Sequence, residues 1–175
     1  MKKLLPLFAT IGLAFSPQAH ASLADRINEN QTEWLLGTWE ADINGTTLTL
    51  TYKWVVKDHV IYSHLKTDDS ESVSLIALNP ESGEIEQTGY DSKGKKSTGK
   101  WGPKDDMPMV TVTSKSDTGE TRSMAVAFRR IDENNIEAQI RSEEHTYELQ
   151  SSRKIVCRLL LEKKKKKNCI VKQKA

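Results

Sequence analysis

Leu48-Thr49-Leu50-Thr51-Tyr52-Lys53-Trp54 alternates bulky apolar residues with polar ones over its whole length. Successive side chains of a β-strand point to opposite faces, so Leu48, Leu50, Tyr52 and Trp54 share one face and Thr49, Thr51 and Lys53 the other. A helix would scatter both sets around its circumference. The stretch therefore reads as a strand with one buried and one wet face. The same period returns where Val110 and Val112 alternate with Thr111 and Thr113, and where Met124, Val126 and Phe128 alternate with Ala125 and Ala127. Ile136, Ala138 and Ile140 repeat it against Glu137 and Gln139.

Working outward, turn signals cut the chain at short intervals: Asn44-Gly45, Lys57-Asp58, Asp68-Asp69-Ser70, Asn79 to Gly83, Ser92-Lys93-Gly94, Lys104-Asp105-Asp106, Ser116 to Gly119 and Asp132-Glu133-Asn134. Gly, Asn and Asp supply the positive φ or local side-chain bonds that tight reversals need. Strands are expected near 36–43, 46–56, 59–66, 72–79, 84–91, 97–102, 108–115, 119–131 and 134–140. Ahead of them Leu23 to Trp34 is expected to form one short helix, capped by Ser22 or Asp25, with Leu23, Ile27 and Trp34 as its apolar face. Consecutive half-buried strands joined by short turns pair with their neighbours. The expected fold is all-β, an antiparallel up-and-down meander of about 8–10 strands that closes into a barrel and so removes its exposed edges.

Leu36-Gly37-Thr38-Trp39, just after the helix, resembles the Gly-x-Trp opener of lipocalin-like, or calycin-type, barrels. A group of small lipocalin-like domains continues with a Trp-bearing second strand, here Trp54, and an Asn-Pro-x-x-Gly turn, here Asn79 to Gly83. An aromatic-Asp-Ser-x-Gly hairpin follows, here Tyr90 to Gly94, and then a second Gly-x-Trp, here Gly99-Lys100-Trp101. The resemblance spans about residues 34–140. It implies a barrel in which Gly37, Trp39 and Gly99 are structural. It also implies a last strand after Ile140 that returns to the first.

The two ends of the chain differ from this middle. Residues 1–21, MKKLLPLFATIGLAFSPQAHA, run from basic through apolar to a small-x-small site at Ala19-His20-Ala21, the order of a secretory signal peptide. Cleavage near Ala21-Ser22 would deliver the domain to a bacterial periplasm or outside the cell. Arg141 to Lys167 resembles the translation of a widely used short-read sequencing adapter. Setting aside an index at 152–154, only Tyr147 and Ile155 differ over residues 141–151 and 155–167. Residues 141–175 are therefore expected to be an adapter-derived, non-native tail that is disordered or arbitrary in structure. The domain at 22–140 is then truncated, with an unpaired edge.

Charge follows the same division. The whole chain of 175 residues carries a formal +2. Residues 22–140 hold 13 Lys+Arg against 20 Asp+Glu, a net −7, and residues 141–175 hold 11 against 4, a net +7. An acidic domain has no electrostatic reason to bind nucleic acid or anionic lipid, and no apolar run approaches the roughly 18 residues of a membrane-spanning helix. Cys157 and Cys169, the only cysteines, both lie in the tail. The domain thus rests on packing without disulfides, and thiolate redox or metal chemistry is excluded from it.

Enzyme motifs are absent: there is no Gly-x-Ser-x-Gly elbow, phosphate-binding loop or His-Glu-x-x-His, and no catalytic residue is named. His59 and His64 sit five apart on the third strand, on opposite faces, so they share no metal. Some barrels similar to this one hold haem on one histidine, but neither His aligns with that position, and no cofactor is expected. Asp68-Asp69 and Asp105-Asp106 fall in turns, where Asp serves the backbone. The aromatics remain as ligand candidates: Tyr52, Trp54, Tyr62, Tyr90 and Trp101. Inward-facing rings with a few polar groups make a pocket for a small hydrophobic or amphipathic molecule. The expectation is a monomeric, non-catalytic binding barrel. The alternative is a filled barrel serving as a structural or interaction module, with haem binding or an enzyme at the barrel mouth a distant third.

Overall fold

The computed structural model describes residues 21–116, 118–143 and 155–164. Residues 1–20, where a signal peptide is expected, and Cys169 lie outside them. Ten strands form one closed antiparallel barrel in which each strand pairs with its sequence neighbours and the last returns to the first. They are β1 (Gly37–Ile43), β2 (Thr46–Val56), β3 (Val60–Lys66), β4 (Glu71–Leu78), β5 (Ile85–Asp91), β6 (Lys96–Lys104), β7 (Met107–Lys115), β8 (Thr121–Arg130), β9 (Asn135–Glu143) and β10 (Ile155–Lys163).

Alternation decides what faces inward. Leu50 and Tyr52 of β2 are buried, and their neighbours across the ladder are Trp39 of β1 and Ser63 of β3. Further round the barrel Phe128 pairs with Ala138, and Ile136 with Leu161, all buried. Trp39 is almost fully enclosed and its Nε1 donates to the Leu35 carbonyl at 3.0 Å, which ties the start of β1 to the segment before it. Gly37 opens β1 at φ +135°, a backbone conformation that residues with a Cβ rarely adopt. Gly99 is buried against Val110.

The helix is shorter than its sequence suggested. α1 runs Leu23–Glu29, and Glu33–Leu35 forms a separate single 3₁₀ turn. Asn30 caps α1, and Gln31, at φ +52°, takes the left-handed conformation that ends a helix. Ser22 and Asp25 make a capping box: Ser22 Oγ accepts from the Asp25 amide at 3.2 Å, and the Ser22 amide donates to Asp25 Oδ2 at 2.7 Å.

The expected open edge after residue 140 is not there. β9 continues to Glu143, and β10 pairs with β9 along its length. β10 meets β1 over a shorter seam, Trp39 opposite Lys163 and Glu40 opposite Glu162. The physical reason is local: Leu159 and Leu161 alternate with Leu160 and Glu162, so this piece of the tail offers an apolar face of strand period. Leu161 is almost fully buried while Leu160 is 59% exposed. Basic residues of the tail find partners on β1, with Lys163 Nζ 5.3 Å from the centre of the Trp39 ring and Lys164 Nζ 2.5 Å from Glu40 Oε1.

Candidate functional site

α1 lies across the barrel end that carries the β2–β3, β4–β5 and β6–β7 turns, and the Ala24 amide donates to the Asp58 carbonyl in the first of these at 3.0 Å. Leu23, buried, is its apolar anchor. Between this helix and the barrel interior is a cavity of about 590 Å³, within the size range of small-molecule pockets. Its walls are apolar: Tyr52, Ile61, Ile76, Ile85 and Trp101 from β2 to β6, with Leu23 and Ile27 of α1 above and Leu35 and Leu36 beside them. The lip is polar and comes from Arg26 and Asn30 on one side and Glu84, Asp105 and Asp106 on the other.

Three rings organise the inner end. Trp101 stacks on Phe128 with centroids 6.1 Å apart, and Tyr52 meets Trp101 and Phe128 edge-on at 6.0 and 6.3 Å. Such pairs stabilise by about 0.5–1.5 kcal/mol beyond their burial. Trp101 Nε1 donates to Gln87 Oε1 at 2.9 Å. Burial pushes the Tyr52 phenol well above its ordinary pKa, with neighbouring Ser63 opposing in part. Tyr52 is thus a neutral phenol at physiological pH.

Of the five aromatics singled out in the sequence, the structure brings Tyr52 and Trp101 together on the cavity. Trp54 shares the inner row of β2 with Tyr52 and packs against the core, but does not line the cavity. Tyr62 and Tyr90 do not line it either. Tyr62 stands opposite Lys53 and Leu75 in the register, on the outer face, with Lys53 Nζ 5.0 Å from its ring centre. Tyr90 pairs with Val73 and is 51% exposed. Trp39 belongs to the core rather than the cavity.

His59 lies in the β2–β3 turn and His64 on β3, where its Nε2 is 2.6 Å from Glu71 Oε1 on the outer surface. Among the described residues no three His, Cys, Asp or Glu side chains converge to hold a metal. Asp105 and Asp106 are exposed in the β6–β7 turn, Asp105 at φ +56°, and their reach to the cavity lip follows from the hairpin's position.

Two features, Arg26 on the cavity and Gly89 away from it, carry no sequence signal. Arg26 is a solvent-facing residue by helical pattern, yet its Nε is buried without a hydrogen-bond partner. Gly89 of β5 faces inward where β4 approaches so closely that a Cβ would collide with the Ser74 side chain and the Val73 carbonyl. A scan of the chain against protein-family models and a search of curated proteins gave no match.

Proposed function

We propose that the protein is an exported lipocalin-like barrel that holds a small hydrophobic or amphipathic molecule in the cavity beneath α1, without catalysis. The observation that carries this reading is the cavity itself, about 590 Å³ with aliphatic walls and two aromatic rings. A barrel acting only as a packed scaffold has no use for such a space, because an unfilled apolar cavity forfeits dispersion contacts on all its walls. The export part of the proposal is supported by the order of residues 1–21, basic, then apolar, then small-x-small. Monomeric behaviour is part of the same proposal, since closure of the barrel leaves little strand edge open for pairing.

A second reading has one observation in its favour. Val73, Leu75 and Tyr90 are 38%, 53% and 51% exposed on adjacent strands of the outer wall, and an apolar outer face of this kind suits an interaction module. The two readings separate in one experiment. The full-length protein is purified from its own host and examined by native mass spectrometry with solvent extraction. A stoichiometric small molecule released on extraction is the expected result. Protein that carries nothing, and takes up no fatty acid, haem or terpenoid, would remove the ligand-binding proposal.

A further inference from the structure

The cavity beneath α1 has one unmet demand. Arg26 Nε, an N–H donor of a permanently charged group, is buried with no acceptor, and Arg26 lines the cavity. The same guanidinium already uses Nη1 on Glu29 Oε2 at 3.2 Å, so its outer end is engaged with solvent-side charge. Other polar groups on the lip are committed elsewhere or face water. Asn30 Nδ2 donates to the Arg26 carbonyl at 2.7 Å, and Glu84 Oε2 is 2.6 Å from Lys100 Nζ. Asp105 and Asp106 are exposed on the opposite hairpin. A buried donor left unpaired is a standing cost that an incoming acceptor removes, and the strongest such acceptor for a guanidinium is a carboxylate, which can engage it through two oxygens.

We infer that the ligand is an amphiphile with a carboxylate head, whose oxygen accepts from Arg26 Nε while its hydrocarbon body lies against Ile61, Ile76 and Trp101. This rests on the cavity-binding proposal above and adds to it the ligand's charge and orientation, head toward α1 and tail toward the aromatic rings. The acidic lip opposes any anion, but Asp105 and Asp106 are water-exposed and screened within roughly 8–10 Å at ordinary salt. The Arg26 side chain is 42% exposed overall, but its Nε is buried without an acceptor, and it is this unmet donor that favours the carboxylate.

The test uses three probes of equal chain length, decanoate, 1-decanol and decyltrimethylammonium, titrated below their micellar concentrations or, for decanol, its solubility limit, into the full-length protein by calorimetry. Decanoate is expected to bind about tenfold more tightly than 1-decanol, a difference of about 1.4 kcal/mol, and Arg26→Gln is expected to abolish that preference while retaining decanol binding. Equal affinities for decanoate and decanol, a preference that survives in Arg26→Gln, or tightest binding of the ammonium would each overturn the carboxylate inference and leave the cavity proposal standing. Failure of all three probes to bind would overturn both. Should Arg26→Gln not fold, the ratio measured on the unaltered protein decides alone.

Discussion

Leu161 and Leu160 are adjacent in β10 and chemically identical, yet the fold gives them opposite fates. Leu161 is 1% exposed and pairs with Ile136, itself fully buried, whereas Leu160 is 59% exposed. Truncating a buried leucine to alanine costs about 2–5 kcal/mol, through lost transfer energy and the cavity left behind. Taking about 3 kcal/mol, and about 4 °C per kcal/mol for a domain of this size, Leu161→Ala should lower Tm by about 12 °C. Leu160→Ala should shift it by no more than about 2 °C, as exposed substitutions change stability by about 0.5 kcal/mol or less. Differential scanning calorimetry of the two variants beside the unaltered protein reads the contrast. If both leave Tm unchanged, β10 is not part of the folded barrel, and the tail behaves as its likeness to an adapter suggests. If both lower Tm equally, the strand is present in a different register, since a one-residue slip exchanges its faces.

Gly89→Ala puts a Cβ into the Ser74 side chain and the Val73 carbonyl, and should destabilise by about 1–3 kcal/mol, read as a lower denaturation midpoint. Tyr52 keeps its proton when folded well above the ordinary pKa, so its contribution to stability is intact below about pH 10 and is lost as pH rises beyond it. An ultraviolet titration should show one late-ionising phenol that is absent from Tyr52→Phe. Asp25 is shifted the other way, its carboxylate held below the usual range by the Ser22 amide and hydroxyl. The cap is therefore present above the ordinary Asp pKa and lost as pH falls through the lowered one. Amide protection factors along α1 should drop with acid, and Asp25→Asn should remove that dependence.

The strand positions were legible because alternation is a direct image of the pleat: β2 in the structure has the bounds read from LTLTYKW and its flanks. Faces were harder to assign where both sides of a strand carry comparable residues. In β3 the inner set is Ile61, Ser63 and Leu65 and the outer set is Val60, Tyr62 and His64, so neither side announces itself as core. In β5 the inner positions are Ile85, Gln87 and Gly89, while Tyr90 looks the more apolar choice. Alternation puts Gly89 inside, and β4 comes too close there for any side chain, a three-dimensional fact with no local signature. β10 is hidden in the sequence for another reason, since the tail's likeness to an adapter argues against structure there. Leu159 and Leu161 nonetheless carry the same period as β2, and the energetics of burial do not depend on how a sequence arose. Arg26 was invisible because its significance lies in what its Nε lacks.

The central claim is that a ligand enters the barrel beneath α1 and reaches Trp101. Its most direct test is a heteronuclear NMR titration of the isotopically labelled protein with decanoate, following the Trp101 indole N–H, which donates to Gln87 Oε1 and is assigned by its absence from Trp101→Phe. Saturable movement of that resonance, with Tyr62 and Tyr90 unmoved, is the predicted result. Saturable shifts confined to Tyr62, Val73, Leu75 and Tyr90, with Trp101 unchanged, would contradict it and place binding on the outer wall.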